Sequence, residues 1–143
     1  MPRDHLSIRL PPETIARVRE RSAEYGEPLT TIVERYIEEG LRLDRHPGIV
    51  FVDGPTGRRA RIAGTRLDVS FVVEALQDNE HSIEATAAYL DLPAWKVEAA
   101  LRYYGEFTAE IDGRIALLQQ VADREESAYH AAQAILEGRP PQP

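Results

Sequence analysis

The segment that most limits what this chain can fold into is its first alternating one. In His5-Leu6-Ser7-Ile8-Arg9-Leu10 the apolar side chains share one face and His5, Ser7 and Arg9 share the other, the period of a half-buried strand. Pro11-Pro12-Glu13 ends that strand and opens a helix, with Pro early in the first turn and an acid at the positive end of the dipole. Ile15, Val18, Ser22 and Tyr25 give this helix a thin stripe, and Gly26 stops it. A second helix follows Pro28-Leu29. Thr30 or Thr31 is its expected cap, Glu34 stands at capping-box spacing from Thr31, and Ile32, Val33, Tyr36, Ile37 and Leu41 form its core face. A lone strand leaves its backbone groups unpaired, and so short a segment without disulfides buries too little surface to be secure alone. Both difficulties vanish if two copies pair their strands antiparallel and interleave their helices, so a homodimer is expected.

Leu6-Ser7-Ile8-Arg9-Leu10-Pro11 through Gly26, then Leu29-Thr30 to Gly40-Leu41, resembles the ribbon-helix-helix family, the group of the Met and Arc repressors. In that family the paired strands enter the DNA major groove. The resemblance implies that Arg3, His5, Ser7 and Arg9 face DNA, with Arg9 able to fork onto guanine O6 and N7. It also places Thr30 and Thr31, at the start of the second helix, against a phosphate.

The remaining composition narrows the class. The chain has 143 residues, no Cys, and 17 Lys+Arg against 24 Asp+Glu, for a formal charge of −7. Without Cys there are no disulfides, thiol nucleophiles or thiolate metal sites. No apolar run approaches a membrane span, and Met1-Pro2-Arg3-Asp4-His5 has no apolar stretch behind it to make a secretory signal. A soluble cytoplasmic protein is expected. Acidic balance speaks against a general nucleic-acid coat, yet the charge is unevenly spread. Residues 1–46 carry 8 basic and 9 acidic side chains, which leaves −6 on the rest. Sixteen of the 17 basic residues are Arg, the side chain suited to planar, bidentate contacts.

Three parts are expected: 1–46, then 47–108 after the linker His46-Pro47-Gly48, then 109–143. In the second part, Gly48–Val52 and Arg59–Ile62 flank Asp53-Gly54-Pro55-Thr56-Gly57 as a hairpin. Helices follow at about 69–77, 82–89 and 93–104, with Ser82 as a cap and Ala87 at a close crossing. Leu90, Leu92 and Val97 take the apolar places of a helix-turn-helix whose usual turn glycine is replaced by Asp91, a residue that tolerates the left-handed conformation. Arg61-Ile62-Ala63-Gly64-Thr65-Arg66-Leu67-Asp68-Val69, Ser82-Ile83-Glu84 and Val97-Glu98-Ala99-Ala100-Leu101-Arg102-Tyr103-Tyr104 together resemble the domain-of-unknown-function family numbered 433. Many of its members are encoded as antitoxins beside small PIN-like ribonuclease toxins. A ribbon-helix-helix head on such a domain is similar to VapB-type antitoxins.

From Ser70 to Ala100 six acids face one base, Lys96, a poor balance for a DNA-recognition helix. This module reads as a packing or dimerising scaffold with an acidic face. Arg58, Arg59, Arg61 and Arg66 cluster on the hairpin and the following loop. They are candidate phosphate contacts, or else pair with Asp53 and Asp68. Trp95 is expected in the core. The third part reads as one amphipathic helix running to Gly138, with Ile111, Ile115, Leu118, Ala122, Tyr129, Ala132 and Leu136 in 4-3 spacing and Glu125 interrupting the row. Ile111, Ile115, Leu118, Tyr129 and Leu136 are candidate toxin-binding residues, or else fold onto their own domain or dimer mate. Residues 139–143 are expected to fray.

His5, His46, His81 and His130 lie far apart in sequence, so no zinc site is indicated, and no phosphate loop or nucleophile elbow is present. No enzyme activity, cofactor or metal is therefore expected. The expected fold is mainly α: a ribbon-helix-helix head, a small hairpin plus helix-turn-helix domain, and a long C-terminal helix. The expected function is that of a type II antitoxin that binds its own operator DNA as a dimer, or as a tetramer, and neutralises a PIN-like ribonuclease toxin. The alternative is a stand-alone transcriptional repressor whose later domain oligomerises or senses a ligand.

Overall fold

The computed structural model describes residues 2–139. The chain divides into two compact units, 1–45 and 46–143. Among the described residues it is mainly helical, with six helices and one two-stranded antiparallel hairpin.

The first unit holds α1 (Pro12–Tyr25) and α2 (Leu29–Arg45). α1 starts as its sequence requires: Pro11 precedes the first turn, and its carbonyl accepts from the Thr14 and Ile15 amides at 3.0 and 3.1 Å. It ends at Gly26, held left-handed at φ 63° with its amide on the Ala23 carbonyl. Among the described residues of this unit, only Ile32 is fully buried. Of the rest of the expected core face of α2, Val33 is half-buried while Tyr36, Ile37 and Leu41 are exposed; α1 packs against α2. The expected cap also differs. α2 begins at Leu29, so Thr30 and Thr31 lie inside its first turn, and the Pro28 carbonyl takes the Ile32 amide. Glu34 pairs with Arg3 at 3.1 Å instead of closing a capping box.

Residues 5–10 form no strand. An extended segment needs a neighbour for its N–H and C=O groups, and a single chain supplies none to it. Leu6 and Ile8 stand 78% and 55% exposed.

In the second unit β1 (Ile49–Val52) pairs with β2 (Arg59–Ile62), Ile49 opposite Ile62 and Phe51 opposite Ala60. These four side chains face the core, and Val50, Val52, Arg59 and Arg61 share the other face. Helices α3 (Val69–Asp78), α4 (Ile83–Leu90), α5 (Ala94–Glu106) and α6 (Thr108–Leu136) follow. The core joins Ile49 and Ile62 to Val69, Val72, Val73, Ala87, Val97, Ala100, Tyr103 and Ile111. Ser82 caps α4 by accepting from the Ala85 amide at 3.1 Å. Asp91 ends α4 in the left-handed conformation at φ 54°, with the Leu92 amide on the Ala87 carbonyl at 2.9 Å. A left-handed non-glycine residue carries a penalty of about 1 kcal/mol, partly offset by glycine's greater loss of chain entropy. Asp91→Gly should therefore stabilise the unit by about 0.5 kcal/mol, seen as a higher urea midpoint at unchanged slope.

α6 has 29 residues, about 43 Å at 1.5 Å per residue. Ile111 is buried and Ile115 packs against the core, while Tyr129 and Leu136 are exposed. Of the expected tail, residues 140–143 lie outside the described residues. No described helix is long and apolar enough to cross a membrane.

Candidate functional site

The head residues that the sequence points to are all on the surface. Arg3, His5, Ser7, Arg9, Thr30 and Thr31 are exposed. Arg3 is tied to Glu34. Thr30 and Thr31 sit in the first turn of α2, where backbone N–H groups have no partner within the helix.

The loop between β2 and α3 is built on Gly64 and Thr65. Gly64 is left-handed at φ 74°. Thr65 then turns the chain with one hydroxyl, which donates to the Ile62 carbonyl at 2.9 Å and accepts from the Leu67 amide at 3.0 Å. The Ile62 amide closes the loop on the Leu67 carbonyl at 2.9 Å. Lys96, the single lysine, donates to the Ala63 carbonyl at 3.3 Å. Arg66 is exposed on this loop.

The other three arginines of the hairpin find carboxylates. Arg58 pairs with Asp53 at 3.1 Å, and Arg59 and Arg61 converge on Asp68 at 2.7 and 3.1 Å. Asp68 occupies the position before α3 yet makes no side-chain cap, because its carboxylate is turned to the two guanidiniums. Sequence reasoning missed a further arginine. Arg114, from α6, donates through Nη1 to the Thr56 carbonyl at 2.9 Å and through Nη2 to the Thr56 hydroxyl at 2.5 Å. Burial, and then the positive charge of Arg59, hold its pKa below the ordinary value for arginine. A separation of 58 residues leaves no local pattern that could have revealed this contact.

The two adjacent tyrosines of α5 both work on α6. Tyr103 is fully buried and its hydroxyl donates to Glu110 Oε2 at 2.7 Å. Tyr104 donates to Asp112 Oδ1 at 2.8 Å, and that hydrogen bond holds its hydroxyl above the usual tyrosine pKa. His46 lies edge-on to the Tyr103 ring, with Nε2 2.8 Å from Glu106.

Trp95 does not enter the core. It is 55% exposed, because it stands on the side of α5 opposite the buried set of Val97, Ala100 and Tyr103, where Lys96 Nζ lies 5.5 Å from its ring. The candidate toxin-binding row on α6 also divides. Ile111 is held in the core of its own unit, Ile115 packs against that core, Leu118 is half-buried, and only Tyr129 and Leu136 project into solvent. The row thus turns from inward at Ile111 to outward at Tyr129 and Leu136 along the helix. Among the described residues no group of three or more His, Asp or Glu is arranged to hold a metal.

The second unit is thus a hairpin and helices knit by a Gly-Thr-Arg loop and a tyrosine pair. Residues 49–104 match the model of the family described as Protein of unknown function (DUF433). No curated protein and no solved structure matches the chain.

Proposed function

We propose that this protein is a dimeric DNA-binding antitoxin, whose head is a ribbon-helix-helix unit and whose second unit carries a helix-turn-helix used for assembly and partner contact. The observation that carries the reading is the open apolar face of the head. Leu6, Ile8 and Leu10 alternate along a segment that forms neither helix nor strand, and Ile37 and Leu41 of the same unit also stand in solvent. A second copy of this segment would pair the backbone and bury those side chains, while turning His5, Ser7 and Arg9 outward toward DNA.

The toxin half rests on the match at residues 49–104 and on the resemblance of this architecture to VapB-type antitoxins. The exposed end of α6, with Tyr129 and Leu136, is the surface offered to a PIN-like ribonuclease. Co-expression with the products of adjacent genes tests this directly. A complex on size exclusion together with rescue of growth is expected, and absence of both removes the antitoxin reading. DNA binding has its own test. Arg9→Ala should weaken operator retention by about 1–3 kcal/mol if Arg9 reads a guanine, measured by gel shift at fixed salt.

A further inference from the structure

We propose that the second unit contains a binding site for a phosphate-type dianion, built from Arg59, Arg61 and Arg114 beneath the tip of the hairpin, with the Thr56 hydroxyl as a further donor. Neither the antitoxin reading nor operator binding enters this inference.

The first observation is a charge imbalance. Arg59 and Arg61 share one carboxylate, that of Asp68, and Arg114 is bonded to the carbonyl and hydroxyl of Thr56. Asp53 is already paired with Arg58. Three guanidiniums around a single carboxylate leave an excess of two positive charges in a part-buried place. Arginine cannot relieve this by losing a proton.

The second observation is independent of the first. Arg59 Nη1 and Arg114 Nε are buried and have no hydrogen-bond acceptor, and Arg59 Nε meets Asp68 as an ion pair without hydrogen-bond alignment. Buried donors of a charged group are satisfied in nearly all folded proteins, and an exception calls for an acceptor. The Thr56 Oγ1 atom accepts from Arg114, so its own proton can be donated outward.

These features select the ligand class. A carboxylate would cancel one charge, whereas a phosphate monoester or inorganic phosphate cancels both and offers enough oxygens for several forked donors. Gly54 lies against the Arg59 guanidinium, so closely that a β-carbon there would fall 1.7 Å from Nη1, so the missing side chain at Gly54 is what leaves room for the guanidinium beneath the hairpin tip.

The test is calorimetric titration of the full chain, free of DNA, with inorganic phosphate, AMP, adenosine and chloride at matched ionic strength. Saturable binding of phosphate at one per chain is expected, with none for chloride or adenosine. Arg114→Gln should weaken it at least about tenfold and Thr56→Val by about threefold, in line with the loss of a charged and a neutral donor. AMP binding more tightly than phosphate would assign the site to a nucleotide's phosphoryl group, and equal or weaker binding to the free ion; both support the site. Binding of neither, binding of chloride as strongly as phosphate, or full affinity in Arg114→Gln would overturn it. Should Arg114→Gln fail to fold, unchanged affinity in Thr56→Val would overturn it equally.

Discussion

Tyr103→Ala should destabilise the second unit by about 3–5 kcal/mol, the range for removing a large aromatic side chain from a packed interior. Tyr103 has no exposed surface, and its ring meets three parts of the unit. Phe107 lies 4.7 Å away, His46 5.3 Å and Phe51 6.2 Å, centroid to centroid. Its hydroxyl ties Glu110 in the first turn of α6. Alanine would leave the linker, β1 and the start of α6 facing a void, and neighbours fixed in helices and a hairpin can close only part of it. Domains of this size are stable by about 5–15 kcal/mol in total, so the loss consumes a large share.

Tyr103→Phe separates the two contributions. It keeps the ring and gives up one hydrogen bond to an exposed carboxylate, so it should cost about 1 kcal/mol. Urea unfolding followed by tryptophan fluorescence measures both, since Trp95 is the only tryptophan and belongs to this unit. If Tyr103→Ala stayed within about 1 kcal/mol of the unsubstituted chain, the packing described for α5 and α6 would be wrong.

Those elements were legible in sequence where their cause is local. The hairpin follows from an apolar stretch and an alternating one, Ile49–Val52 and Arg59–Ile62, around Asp53–Gly57, the start of α4 from the Ser82 side chain, and its end from Asp91. Each depends on residues within a few positions of one another. Legibility failed where distant parts decide. Thr31 has the right neighbours for a cap, but Pro28 already supplies the first helical carbonyl and Glu34 goes to Arg3. Trp95 is apolar enough for a core, yet the angle at which α5 packs gives the interior to Val97, Ala100 and Tyr103. Arg114 reaches Thr56 across 58 residues of sequence, on a helix that packs against α3 and α5. For the hairpin arginines, sequence left phosphate and carboxylate open as partners. The geometry pairs Arg58, Arg59 and Arg61 with Asp53 and Asp68, without making the cluster neutral.

The head shows a different limit, since its alternating pattern describes a surface that one chain does not cover. Ile8→Asp is the substitution expected to act most strongly on association. Ile8 is the middle of the three apolar residues and stands 55% exposed in the single chain. In a two-stranded antiparallel ribbon, the residues near the two-fold axis face their own counterparts. The substitution would therefore place two carboxylates close together inside a newly formed apolar layer. Taking a charge out of water costs several kcal/mol even after relaxation, so dimer dissociation should rise by at least about 100-fold, equivalent to about 2.7 kcal/mol. Sedimentation measures this directly, and operator retention should fall with it because, in the proposed reading, a monomer presents half a ribbon. Ile8→Val keeps the apolar face and β-propensity and should leave both nearly unchanged. Since Ile8 is already open to water in the single chain, Ile8→Asp should leave the urea transition of the second unit where it was. A dimer that survives the charge would mean that the apolar row of residues 6–10 is covered by something other than its own second copy.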